Sequence, residues 1–222
     1  MTAPTSVTAP LIAAIESTWK AIQAQHPDVP EVVVTLGSGS VKKGVNLGHF
    51  AAERWMRGED RVHELFVGGE GLKRGAADVL GTLLHEAAHA AAQARGIKDT
   101  SRQGRFHNAK FKAIGEEFGL RLEKDPSIGW STTHVPYGTA ERYVREVADL
   151  EAAMVAYRVV ENAEGRKSSN NGVSAECGCG RKIRVSRKVY EMGAISCGLC
   201  GTDFTTEDDE GLTDEDRVPD EE

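Results

Sequence analysis

Five residues near the middle of the chain, His85-Glu86-Ala87-Ala88-His89, have the types and the spacing for metal-assisted hydrolysis. On a helix, residues four apart lie on one face, so both imidazoles can reach a single ion. Neutral imidazole is a good zinc ligand, and a catalytic zinc takes three protein ligands and keeps one position for water. Glu86, beside the first histidine, can take a proton from that water and later pass it to a departing amine. The pattern would arise by chance in a chain of this length on the order of 1% of the time. It also lies in an apolar stretch, where two histidines and a glutamate are costly to bury without a role.

The third ligand must come from elsewhere, and His107 leads. A helix is expected from about His107 to Phe118; at about 100° per residue, Phe111, Ile114 and Phe118 share the face of His107, which should therefore point inward. Glu116 falls on the opposite face and Glu117 on the flank; both stay open as alternatives, as does Asp99 in the preceding loop. His26, His49, His63 and His134 lack partners at ligand spacing and read as surface or structural histidines. His134 and Tyr137 fall in a segment that could border a cleft.

The four cysteines, Cys177, Cys179, Cys197 and Cys200, all lie within one short stretch. Two close pairs flanked by glycines suit a closed four-thiolate structural zinc site, although the first pair is C-x-C where a ribbon usually has C-x-x-C. Between the pairs, Arg181, Lys182, Arg184, Arg187 and Lys188 are opposed only by Glu191. These cations are candidate phosphate contacts, and equally a solvated face; Tyr190 alone gives little support for base stacking.

His85-Glu86-x-x-His89 followed by His107-Asn108-x-x-Phe111-Lys112 resembles the SprT-like zinc metallopeptidases, the family of Spartan and its relatives. Their pattern is H-E-x-x-H and then H-G-x-x-F. The resemblance covers roughly residues 10–125 and, through a C-terminal zinc ribbon, roughly 175–205. It implies a zincin-like domain with a small antiparallel sheet, His107 as the ligand completing a catalytic zinc site, a second structural zinc, and protein substrates associated with or crosslinked to DNA. Asn108 stands where the family has Gly, a mild change because Asn tolerates left-handed backbone. The loop from His89 to His107 is also longer. Two other functions fit the same residues: a regulatory peptidase cleaving a repressor-like protein, and a non-enzymatic zinc-ribbon adaptor for nucleic acid or protein. An intact Glu86 weighs against the last.

The elements around these motifs follow from periodicity. Leu11, Ile12, Ile15, Trp19 and Ile22 recur at helical spacing, and His26-Pro27 ends that helix. Short strands are expected over residues 31–36, 45–50 and 62–67, with a turn at Gly37-Ser38-Gly39. Residues 76–95 form a largely buried helix stopped by Gly96. Residues 120–138, interrupted by Pro126 and Pro136, read as irregular, and a long helix from Thr139 carries Tyr143, Val147, Leu150, Met154 and Tyr157 on one face. This order gives an α+β class, with a peptidase-type domain over 10–162, a linker over 163–174, a ribbon over 175–205 and an acidic tail over 206–222.

With 222 residues and 40% hydrophobic content the chain can bury a proper core. The net charge of −7 is concentrated: residues 207–222 hold ten Asp or Glu and one Arg, so the remainder sums to +2. The first twenty residues lack a basic start and a cleavage site, and no apolar run is long enough to span a bilayer. A cytoplasmic protein with no membrane partner is expected; oligomeric state is not encoded in any pattern found.

Overall fold

The computed structural model describes residues 6–41, 44–161 and 172–206. The acidic tail from 207 onward and linker residues 163–171 lie outside the described residues. The chain divides into two compact units, before and after residue 161.

In the first unit, α1 (Thr8–Gln25) buries Leu11, Ala14, Ile15, Thr18, Trp19 and Ile22 along one stripe. Its buried polar atoms are partnered: the Thr18 hydroxyl donates to the Ala14 carbonyl at 2.8 Å and the Trp19 indole N–H to the Pro30 carbonyl at 3.0 Å. The strands β1 (Val32–Gly37), β2 (Ser40–Val41), β3 (Gly44–Val45), β4 (Gly48–Arg57) and β5 (Asp60–Gly68) follow. β5 is central in a sheet of order β1-β5-β4, parallel to β1 and antiparallel to β4. The sheet is thus mixed, not antiparallel as expected. The β2–β3 hairpin separates β1 from β4, which returns alone, so β5 runs in the direction of β1. β4 starts at Gly48, not Val45, and extends to Arg57 through a bulge between Ala51 and Trp55 where Glu53 has φ 56°.

A 3-10 turn over Gly69–Arg74 leads into α2 (Ala76–Ala94). α2 is the central element, packed against α1 and β4 and against three later elements, α3 (Ala109–Glu117), β9 (Gly129–His134) and α5 (Val144–Ala153). Val79, Leu80, Leu83, Leu84, Ala87, Ala88 and Ala90 are all buried, which fits a helix apolar almost all round.

A second sheet takes β6 (Thr100–Ser101), β7 (Phe106–His107) and β8 (Arg121–Asp125) in the order β6-β7-β9-β8. Three expectations are corrected here. His107 lies in β7, ahead of α3, and Asn108 caps that helix. Residues 120–138 are not irregular: β8 and β9 form an antiparallel pair that buries Leu122. The expected long helix is broken into α4 (Tyr137–Arg142) and α5 at Tyr143, whose φ of −111° and ψ of 27° leave helical geometry. Tyr143 and Leu150 are buried, but Tyr157 lies beyond the helix and is exposed.

The second unit holds a hairpin of β10 (Val173–Glu176) and β11 (Lys182–Val185) and a short α6 (Arg187–Glu191). β10 begins inside the span expected to be linker. Its buried core consists of Ala175, Cys177, Cys197 and Phe204, with Ile183, Tyr190 and Ile195 against it. No helix among the described residues is long and apolar enough to cross a membrane.

Candidate functional site

α2 presents His85 and His89 one turn apart, and β7 brings His107 to them. His107 Nε2 lies 3.2 Å from His85 Nε2 and 3.1 Å from His89 Nε2. The hydrogen bonds on the opposite ring nitrogens fix why these atoms converge. His89 Nδ1 donates to Asp99 Oδ2 at 2.5 Å and His107 Nδ1 to the Ile128 carbonyl at 3.1 Å. Both acceptors lack a proton to give, so both Nδ1 atoms carry hydrogen. His85 Nδ1 is 2.9 Å from Thr133 Oγ1, whose own hydrogen goes to the Ser131 carbonyl at 3.2 Å, so that ring also donates through Nδ1. With Nδ1 engaged on each ring, the three Nε2 atoms are the ones that converge. The buried Phe111 ring lies under the group, its centroid 4.4–4.6 Å from each imidazole.

Local sequence explains the placement of His107. The Asn108 side chain accepts from the Lys110 and Phe111 backbone N–H groups and donates to the Lys98 carbonyl at 2.9 Å, tying the start of α3 to the loop after α2. Its φ of −90° is extended backbone, so Asn here serves as a helix cap and left-handed tolerance is not involved. Gly129 has φ 78°, and a Cβ there would sit 2.1 Å from the His107 carbonyl oxygen; only glycine lets β9 come this close to β7.

Glu86 is 6% exposed and its Oε2 accepts the Phe50 backbone N–H at 2.8 Å, which ties α2 to β4. Burial pushes its carboxyl above the usual carboxylate range. Burial, then the neighbouring imidazoles, holds His85 well below an ordinary histidine, and burial followed by His89 lowers His107. All three groups face a cleft of about 720 Å³ bounded by Gly48 and Phe50 of β4, Thr82 and Gln93 of α2, Thr100 of β6 and Thr133 of β9. Partly buried imidazoles with convergent Nε2 atoms in an open cleft are a set that could hold a metal ion, and the three ligand atoms lie within 4.8 Å of one another.

The remaining candidates sort plainly. Asp99 is not a ligand in this arrangement but the partner of His89. Glu117 pairs with Arg95, and Glu116 with Lys112. His26 stacks on Phe118 and His63 accepts the Glu53 N–H. His134 pairs with Glu123, Tyr137 is 78% exposed, and neither lines the cleft. His49 does line it, bonded to Glu64 at 3.1 Å, a role that residue spacing gave no means of finding. Thr133 and the Ile128 carbonyl were equally invisible because they lie in a segment read as irregular.

In the second unit the Sγ atoms of Cys177, Cys179, Cys197 and Cys200 all lie within 4.8 Å of one another. Cys177 and Cys179 are 3.3 Å apart and Cys179 and Cys197 3.9 Å apart, too far for disulfides. The Thr202 hydroxyl and backbone N–H pull the Cys200 thiol down to about 6. Bonds to Cys177 and Cys200 push Cys179 up to about 12. Four sulfurs this close could all ionise only around a cation, whose charge would offset the repulsion among thiolates. Of the five cations between the pairs, Lys182 is paired with Glu176 and Arg187 with Glu191, while Arg181 donates to Cys197 Sγ at 3.8 Å. Arg184 and Lys188 make no ion pair among the described residues.

The chain matches no family model, and comparison with the curated proteins and with the solved structures finds no significant match.

Proposed function

We propose that the chain is a zinc-dependent peptidase of the SprT-like, zincin type, with His85, His89 and His107 holding a catalytic zinc and Glu86 as general base. The observation that carries this reading is the convergence of three histidine Nε2 atoms beside the buried Glu86 carboxyl in an open cleft. The donor set fits the ion. Zinc–nitrogen bonds of about 2.0–2.1 Å put tetrahedral ligand atoms about 3.3–3.4 Å apart, close to the 3.2 and 3.1 Å between these histidines. In the second unit, zinc–sulfur bonds of about 2.3 Å require about 3.8 Å between sulfurs, against 3.3 and 3.9 Å. The four cysteines complete a coordination shell, so that zinc is structural.

A bound zinc supplies Lewis acidity to a carbonyl and to a water beside it. The rest is the work of this chain's own groups. Phe50 N–H anchors Glu86 Oε2, so the carboxylate is held in one orientation at the cleft floor. Its burial raises its proton affinity, which suits a group that must accept a proton from water and return it to the leaving nitrogen. Among the described residues β4 has a strand partner on one side only, and its residues Gly48, His49 and Phe50 line the cleft. An extended substrate chain can therefore pair with it by backbone hydrogen bonds.

The test is hydrolysis of an unstructured polypeptide, read as new termini by mass spectrometry. Activity should vanish on chelation, return with zinc and be absent from His107→Ala. Cleavage that survives chelation or persists in His107→Ala contradicts the proposal.

A further inference from the structure

The segment that carries Asp99 and His107 is locally cationic. Between positions 98 and 115 the chain carries five cations, Lys98, Arg102, Arg105, Lys110 and Lys112, and one anion, Asp99. That anion is turned inward onto His89. Lys112 is paired with Glu116 and lies over the Trp130 ring. The other four cations are exposed and make no ion pair among the described residues. Arg57, Arg95 and Arg158 of this unit find carboxylates, while Arg54, Arg61, Arg74, Arg142 and Arg145, like the hairpin arginines, make no ion pair among the described residues. What sets Arg102 and Arg105 apart is their place on a hairpin that borders the cleft.

The uncompensated charge is held in place. Arg102 lies over the Phe106 ring at 4.5 Å, and Arg105 donates to the Arg102 carbonyl and to Gln103 Oε1, both at 3.3 Å. Arg102 and Gln103 have φ of 51° and 60°, so two consecutive side-chain-bearing residues are in the left-handed region. Thr100 and Gly104 of this same β6–β7 hairpin line the cleft. Arg102 and Arg105 themselves do not line the cleft but flank Gly104, which does, so a chain leaving the histidine centre on this side meets the loop that carries them.

We infer that the β6–β7 hairpin is a specificity element selecting polypeptide substrates with acidic side chains on the His89 side of the scissile bond. The inference rests on the peptidase reading and names its substrate class. Position favours a polypeptide over a nucleic acid, because the hairpin continues the cleft and, among the described residues, no stacking aromatic is free on it: Phe106 is covered by Arg102.

Binding separates this inference from the reaction. The full chain carrying Glu86→Gln is titrated with three fluorescent probes: a twelve-residue Gly/Ser/Glu peptide, a Gly/Ser peptide of equal length, and a single-stranded oligonucleotide. Exposed ion pairs each change affinity about two- to fivefold, so the acidic peptide should bind about tenfold more tightly than the neutral one, and less so in high salt. Arg102→Glu with Arg105→Glu should reverse the preference towards a Gly/Ser/Lys peptide; Arg102→Lys with Arg105→Lys should keep it. Equal binding of both peptides, or an acidic preference surviving the double Glu variant, overturns the inference. So does an oligonucleotide that binds more tightly than the acidic peptide and is lost in the double Glu variant. Charge-selective binding without hydrolysis by wild type would refute the reaction alone, and hydrolysis without charge selectivity would refute the hairpin's role alone.

Discussion

Replacing Asp99 tests how the histidine centre is organised. Its carboxylate accepts from His89 Nδ1 at 2.5 Å, with side chains only 13% and 17% exposed, and the side chain has no other hydrogen bond among the described residues. A charge-assisted bond largely out of water contributes about 1.5–3 kcal/mol. Its benefit to the ion comes from holding the ring and making Nε2 more basic. Asp99→Asn keeps a carbonyl acceptor and loses the charge, so zinc affinity should fall about tenfold; Asp99→Ala loses both, and the fall should approach a hundredfold. Competition against a chromophoric chelator measures this, with the four-cysteine site as an internal reference that should not change. If both variants bind zinc within about twofold of wild type, Asp99 does not position His89. If both sites weaken together, the effect is general unfolding.

Further outcomes follow from the packing. The Tyr143 hydroxyl is buried without a hydrogen-bond partner among the described residues, so Tyr143→Phe should leave urea stability unchanged or raise it by about 1 kcal/mol. Burial raises Glu70, but the bonds from the Ser40 hydroxyl and the Gly39 and Ser40 N–H groups outweigh it and bring the carboxyl down to about 2. A depressed carboxyl contributes stability above its unfolded value of 4.5 and loses it as pH falls towards 2, so acid unfolding should steepen in that window and Glu70→Gln should flatten it, at a cost of about 2 kcal/mol at neutral pH. Among its described residues the second unit buries four apolar or thiol side chains, too few to hold it without metal. Chelation, or serine at all four cysteines, should abolish protection of residues 172–206 in hydrogen exchange.

Much of the site is local and was legible in the sequence. The helical spacing of His85 and His89 and the C-x-C and C-x-x-C pairs each depend on a few neighbouring residues. The inward position of His107 was reached by treating it as helical, although it lies in a strand. The conclusion survived because a residue just before a capped helix still sits above that helix's apolar face, which Phe111 anchors. Contacts made across the fold were not legible. Thr133 and Ile128 lie on a hairpin whose sequence, with Pro126 and Gly129, resembles a loop, and only pairing with β7 makes it a sheet. The parallel pairing of β1 with β5 depends on how far the intervening hairpin carries the chain. Tyr143, spaced perfectly for one long helix, is where the chain turns so that both α4 and α5 can pack.

The most direct test of the central claim is to compare wild type and Glu86→Gln at equal, measured zinc content in hydrolysis of one unstructured polypeptide. Two zinc ions per chain are expected in both proteins, with a rate about 10²- to 10⁴-fold lower in the variant. Equal rates at equal zinc would contradict a general-base role for Glu86 and, with it, the hydrolytic reading of the histidine centre.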